Sequence, residues 1–267
     1  MNKIGFIGGG KMASAIIKGI INSHWCENQD IIVSDKNESS LALLKENFNI
    51  QVTTSNIEIA KTSDIILLAV KPFVLRDVLE EIKPFITKKH LVLSIAAGIS
   101  INTIEEILGE VSVIRIMPNT PALVNEGMSA ICPGKYTDKN QVKTALEIFN
   151  SVGKVIESDE KYIDIITAIS GSGPAFYYYI IDEMAKAGQK LGLDYETCLK
   201  LSAQTAFGSA KMIMESGISP EQLIIKVTTP GGCTAVGNDV LKENNISDIL
   251  FDTIEKTAKK AFELGKN

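Results

Sequence analysis

The run Ile4-Gly5-Phe6-Ile7-Gly8-Gly9-Gly10-Lys11-Met12-Ala13 decides how the first half of the chain folds. A short apolar strand leads at once into the pattern G-x-G-x-x-A, and Ser14-Ala15-Ile16-Ile17-Lys18-Gly19-Ile20 then reads as helix. Strand, glycine turn and helix in that order open the dinucleotide-binding form of a βαβ unit. Each small residue has a physical task there. Gly8 permits the tight turn off the strand, Gly10 lets the backbone approach a pyrophosphate that a Cβ would strike, and Ala13 lets the helix pack close to the sheet. The first helical N–H groups face the phosphates, with the positive end of the helix dipole behind them.

Outward from this motif, strands alternate with helices. Ile31-Ile32-Val33 reads as a second strand and residues 38–47 as a helix. Asp64 to Val70 is a continuous apolar run, the form of a strand buried on both faces of a parallel sheet. Residues 74–82 are helical, 91–95 and 111–116 supply two more strands, and 128–132 and 154–156 extend the sheet around a helix over 138–151. The expected fold class is α/β: an N-terminal Rossmann-type doubly wound sheet followed by a C-terminal all-α domain. The change comes near Glu160, after which helical patterns cover 174–191, 195–215, 219–227, 234–244 and 247–264, with Pro174 suited to a helix start. The predicted domains are therefore 1–160, binding a dinucleotide, and 161–267, helical. A helical domain of that size and apolar content is small to bury itself alone, so self-association is expected.

Composition excludes several classes of function. With 45% hydrophobic and 22% charged residues and a net charge of −5, the chain has no electrostatic footprint for nucleic acid or an anionic membrane. Cys26, Cys132, Cys198 and Cys233 lie far apart, without the spacing of a metal site or a disulfide framework, and no metal is expected. The chain enters a strand by Ile4, leaving no room for a signal peptide, and no apolar run reaches membrane-spanning length. A cytoplasmic protein is expected.

Ligands of an open α/β sheet bind beyond the carboxyl ends of its strands. The second strand ends in Ser34-Asp35-Lys36-Asn37. An acidic residue there accepts from a ribose 2′-OH, whereas a hydroxyl followed by a cation favours a 2′-phosphate. Both kinds of group are present, so NADPH against NADH stays open, and a plain polar turn capping the next helix fits as well. Ala69-Val70-Lys71-Pro72 and Ala96-Ala97-Gly98 end the next two strands and offer small residues and bare backbone to a ribose and nicotinamide. Asn56 is either the N-cap of a short helix or a ribose or adenine contact.

Only two histidines exist, His24 and His90, and both should fall at the amino end of the sheet. Neither suits the proton donor that reduction of a carbonyl requires. An imine substrate lifts most of that requirement, because its nitrogen is protonated before hydride arrives and the enzyme mainly has to position it. In the helical half, Thr228-Thr229-Pro230-Gly231-Gly232-Cys233-Thr234 opens a helix. Its glycines make a nest of N–H donors suited to a small carboxylate, with the Thr234 hydroxyl available to the same ligand. An ordinary loop with Thr234 as N-cap is the alternative.

Taken in order, Ile7 to Ala13, Ala69 to Pro72, Ser94 to Gly98, Arg115-Ile116-Met117-Pro118-Asn119-Thr120-Pro121, Ser170-Gly171-Ser172-Gly173-Pro174-Ala175-Phe176 and Thr229 to Thr234 resemble the Δ1-pyrroline-5-carboxylate reductase family over essentially the whole chain. The resemblance implies reduction of the cyclic imine 1-pyrroline-5-carboxylate to L-proline by NADP(H) or NAD(H), the last step of proline biosynthesis. It also implies a homodimer built by interleaved C-terminal helices, sometimes assembled into a larger ring. Carried over by position, Thr234 is the catalytic residue that hydrogen-bonds the ring nitrogen, and Thr229 with the backbone of Gly231, Gly232 and Cys233 holds the substrate carboxylate. The cofactor set becomes Gly8, Gly9, Gly10, Lys11, Met12, Ser34, Lys36, Asn56, Ala69, Val70, Lys71, Pro72, Ala96, Ala97 and Gly98. Two positions depart from the family pattern: Asp35 is unhelpful to a 2′-phosphate, and Cys233 puts an oxidisable thiol where another small residue is usual. β-Hydroxyacid dehydrogenases share the two-part layout, but their catalytic lysine has no counterpart at Phe176, Tyr177 or Tyr178. A non-catalytic dinucleotide sensor would have no use for the second glycine nest.

Overall fold

A computed structural model describes residues 3–265. Among these, strands β1 (Ile4–Ile7), β2 (Ile31–Ser34), β3 (Gln51–Thr53), β4 (Ile65–Leu68), β5 (Leu91–Ser94), β6 (Ser112–Met117), β7 (Gly127–Pro133) and β8 (Gly153–Glu157) form one sheet in the order β3-β2-β1-β4-β5-β6-β7-β8. Pairings from β3 through β6 are parallel; β7 pairs antiparallel with β6, and β8 follows β7 in parallel. The switch point lies between β1 and β4, where the strand order turns back, and β1 runs straight into the glycine turn. β1, β2, β4 and β5 are buried along their whole length, as expected of strands covered on both faces.

Helices α1 (Lys11–Asn22), α2 (Glu38–Phe48), α3 (Asn56–Thr62), α4 (Pro72–Ile82), α5 (Ile101–Leu108) and α6 (Lys139–Asn150) flank the sheet. Two apolar clusters make the core, one on each face. Ile16, Ile17, Ile20 and Phe149 pack with Phe6 and Val33 on one side. Leu75, Leu79, Ile82 and Ile104 pack with Ile7, Ile66 and Val92 on the other.

The helical part holds α7 (Ile163–Ile166), a π-helical turn over Thr167–Gly171, α8 (Gly173–Lys190), α9 (Tyr195–Glu215), α10 (Pro220–Val227), α11 (Cys233–Glu243) and α12 (Ile246–Leu264). α8 and α9 form an antiparallel pair drawn close at Gly188, where a Cβ would stand 2.5 Å from Cys198 Sγ. The Tyr195 hydroxyl donates to Asp182 Oδ1 at 2.7 Å across the same pair. No helix of the described residues is long and apolar enough to cross a membrane.

By packing, the chain divides into one unit of Met1–Ser172 with Thr257–Asn267 and a second of Gly173–Lys256. The first break thus falls past residue 160, because α7 and the π-turn pack on the sheet: Ile163 and Ile166 join the core cluster of α4 and α5. The sequence reading gives no sign that the end of α12 returns to the sheet unit. It also assigns nothing to β3 and α5. β3 is a three-residue edge strand, too short for a periodic signal, whereas α5 buries Ile101, Ile104 and Ile107 at helical spacing. The N-cap of α3 is Ser55, whose Oγ accepts from the Glu58 N–H, so Asn56 is not the cap. All four cysteines are free; only Cys233 is exposed. Burial pushes the Cys26 and Cys132 thiols up to about 11, which keeps them unreactive.

Candidate cofactor and substrate sites

Leaving aside α7, whose N-cap Tyr162 also makes no side-chain hydrogen bond, and α8 and α12, helix starts fall into two groups. α2, α3, α5, α6, α9 and α10 begin on Asn37, Ser55, Ser100, Asp138, Asp194 and Ser219, each accepting from a first-turn N–H. By contrast, α1, α4 and α11 begin on Gly10, Lys71 and Gly232 with no side-chain cap. The orphan donors of a first turn need an acceptor from somewhere, and these three helices follow the sequence-predicted ligand motifs.

In the sheet unit, the two outer glycines of G-x-G have different causes. Gly8 has φ +105°, and a Cβ there would stand 2.8 Å from the Ala69 carbonyl. Conformation and backbone crowding both demand glycine at that position. Gly10 has φ −74°, and nothing lies within 4 Å of where its Cβ would be. No protein contact requires glycine at Gly10; the cleared space fits a ligand's phosphate against the Lys11 and Met12 N–H groups.

The predicted cofactor residues converge on the carboxyl edge of the sheet. The Gly8 N–H donates to Ser34 O at 2.8 Å, and the Ala69 N–H to Ile7 O at 2.8 Å. Pro72, Ala97 and Gly98 share a cavity of about 180 Å³ with Arg115, Thr167 and Leu264. Gly98, at φ +76°, turns its bare Cα toward the last helix, where the Leu264 carbonyl is 3.2 Å from an added Cβ. Lys36, Lys71 and Ala97 are exposed, while Val70 and Ala69 are half-buried and Ala96 is buried.

Three features escape the sequence reading. The Asp35 carboxylate accepts from the Gly9 N–H at 2.7 Å and from the Asn37 N–H at 2.8 Å, bracing the glycine turn. Ser34 is wholly buried, and its hydroxyl donates to Asn56 Oδ1 at 2.8 Å; Asn56 Nδ2 donates in turn to Glu81 Oε2 at 2.8 Å. Finally, buried Arg115 pairs with Glu160 Oε1 at 2.8 Å, and the same oxygen accepts from the Ile101 N–H at 2.9 Å. That bridge fixes the loop between Gly98 and α5 to β6. Membership of the motif from Arg115 to Pro121 was the available signal for it. His90 is held at the opposite edge, its Nε2 against Ala60 O at 3.1 Å.

In the helical unit, the loop from Thr228 to Gly232 turns tightly into the start of α11. Gly231 has φ +72°, and the Gly232 N–H donates to Thr229 O at 2.9 Å. Asn238 Nδ2 donates to Thr228 Oγ1 at 3.1 Å and ties the loop to α11. Gly232 is the N-cap of α11, so Thr234 lies inside the first turn and is not the cap. Cys233 and Thr234 are exposed, and their N–H groups have no acceptor within the helix. The arrangement suits a carboxylate, with the Thr234 hydroxyl beside it.

A family model described as pyrroline-5-carboxylate reductase dimerisation matches residues 160–264, and one described as NADP oxidoreductase, coenzyme F420-dependent, matches residues 3–98. A pyrroline-5-carboxylate reductase of Methanosarcina acetivorans is 42% identical over 99% of this chain and 98% of its own. The chain belongs to the pyrroline-5-carboxylate reductase family. Solved members agree in fold: one from Coxiella burnetii has a TM-score of 0.94 at 36% identity, covering 98% of each chain. A Plasmodium falciparum pyrroline carboxylate reductase with NADP bound has a TM-score of 0.88 at 36% identity, covering 99% of this chain and 98% of its own. With the family comes the reaction class, an NAD(P)H-dependent reduction.

Proposed function

We propose that this chain reduces 1-pyrroline-5-carboxylate to L-proline, the last step of proline biosynthesis, and that its two glycine clusters hold the two reactants. The observation that carries the reading is the pair of helices capped by bare glycine, α1 at Gly10 and α11 at Gly232. The reduction draws its hydride from NAD(P)H. Gly8, Gly9 and Gly10 with the N–H groups of Lys11 and Met12 take the pyrophosphate; Ala69 to Pro72 and Ala96 to Gly98 line the ribose and nicotinamide. Ser34, Lys36 and Asn56 stand on the adenosine side.

Gly231, Gly232 and Cys233 bind the substrate carboxylate through their backbone, joined by Thr229. The Thr234 hydroxyl orients the ring nitrogen, which carries its proton into the product amine. The imine carbon becomes tetrahedral, and no side-chain acid is consumed. This accounts for a site without histidine.

The working form is a homodimer at least, joined through the region of the dimerisation match. The exposed Tyr177, Tyr179 and Phe251 of the helical unit support it, since apolar patches of that kind mark interfaces. A larger ring and a cytoplasmic location belong to the same proposal. The test is loss of the nicotinamide absorbance when purified protein meets pyrroline-5-carboxylate with NADPH or NADH. Turnover is the expected result; a folded protein that binds cofactor without turnover overturns the reading.

A further inference from the structure

On the reductase reading Ser34, Lys36 and Asn56 stand on the adenosine side, and the structure commits two of them to each other. The Ser34 hydroxyl is wholly buried and donates to Asn56, and Asn56 donates onward to the Glu81 carboxylate. That chain commits the Ser34 hydroxyl proton and one of the two Asn56 N–H donors to acceptors within the protein. Lys36 remains as an exposed cation.

Beside it, both oxygens of Asp35 are anchored by backbone N–H groups, Oδ2 by Gly9 and Oδ1 by Asn37. The carboxylate is therefore fixed in place at the carboxyl end of β2, against the glycine turn. Each carboxylate oxygen keeps a free lone-pair site. A ribose diol donates into such sites, whereas a 2′-phosphate dianion meets like charge at short range.

Resting on the reductase reading above, we infer that Asp35 discriminates between the two nicotinamide cofactors and biases this enzyme toward NADH. Asp35 is half-buried and cannot swing clear without releasing the Gly9 and Asn37 N–H groups. The repulsion is thus built into the turn.

Affinity tests this apart from turnover. Full-length protein is titrated calorimetrically with 5′-AMP and adenosine 2′,5′-bisphosphate, which differ by the 2′-phosphate alone, and with NADH and NADPH followed by cofactor fluorescence. Wild type is expected to bind 5′-AMP and NADH more tightly than their 2′-phosphorylated counterparts. Asp35→Asn keeps an oxygen for the Gly9 N–H and removes the charge; it should raise the NADPH-to-NADH affinity ratio about tenfold or more, through tighter NADPH binding. Asp35→Ser should move the ratio the same way. A wild type that favours NADPH, or an Asp35→Asn ratio equal to wild type, overturns the inference. Failure to turn over pyrroline-5-carboxylate with this binding preference intact sinks the reductase reading alone, and binding of neither dinucleotide sinks both.

Discussion

At the residue scale, Thr234 carries the most specific chemical expectation. It lies in the first turn of α11, exposed. Thr234→Ala should lower kcat/KM for pyrroline-5-carboxylate by about tenfold or more, the scale of one hydrogen bond to a charged group. Thr234→Ser should restore most of it. Steady-state kinetics check both, and wild-type values in the alanine variant would remove Thr234 from the mechanism. Gly8, Gly10 and the Thr229–Thr234 loop were legible because their meaning is local: a turn and a helix start within a few residues. Asp35 was legible as an acid and not as a brace, since its partner Gly9 lies in another βα turn. The bridge from Arg115 through Glu160 to Ile101 is likewise invisible in sequence, joining three segments that only the fold brings together.

At the element scale, several buried strands and the helices α6 and α9 were read almost to the residue, whereas the capped helix α5 was not read at all. α9 falls on its predicted span of 195–215, and α6 is bracketed by Asp138 and Ser151. Asp138 closes a capping box with Gln141, each side chain meeting the other's backbone N–H. Asp138→Ala should therefore cost about 1 kcal/mol, seen as a lowered midpoint of thermal unfolding with the cofactor affinity unchanged. An unchanged midpoint would mean that packing of Ile148 and Phe149 alone sets the helix. The antiparallel turn into β7 could not be read, because strand direction is a property of the connection and not of the strand's own residues. β3 is too short to show a period.

At the scale of the whole molecule, the helical unit exposes large apolar side chains along α8 through α12; Tyr177, Tyr179, Ile225 and Phe251 each keep more than 60% of their surface. Such surface is costly to leave in water, at about 25 cal/mol for each Å². Light scattering should therefore give a mass of twice the 28.9 kDa chain or a higher multiple. A monomer at micromolar concentration would contradict it. The two-part organisation was legible from the loss of strand-like runs after residue 160, and the return of the last helix to the sheet unit was not.

That return has a consequence for how the protein is made. The sheet unit is discontinuous: it stops at Ser172 and resumes at Thr257, with the other unit inserted between. Ala261 and Leu264, which wall the cavity beside Gly98, follow the whole inserted unit in the chain. A ribosome-bound chain can pair its strands and wind α1 before the inserted unit is made, yet the cavity beside Gly98 lacks that wall until the chain has run through residues 173–256. Closure of that cavity therefore waits on synthesis of the whole inserted unit.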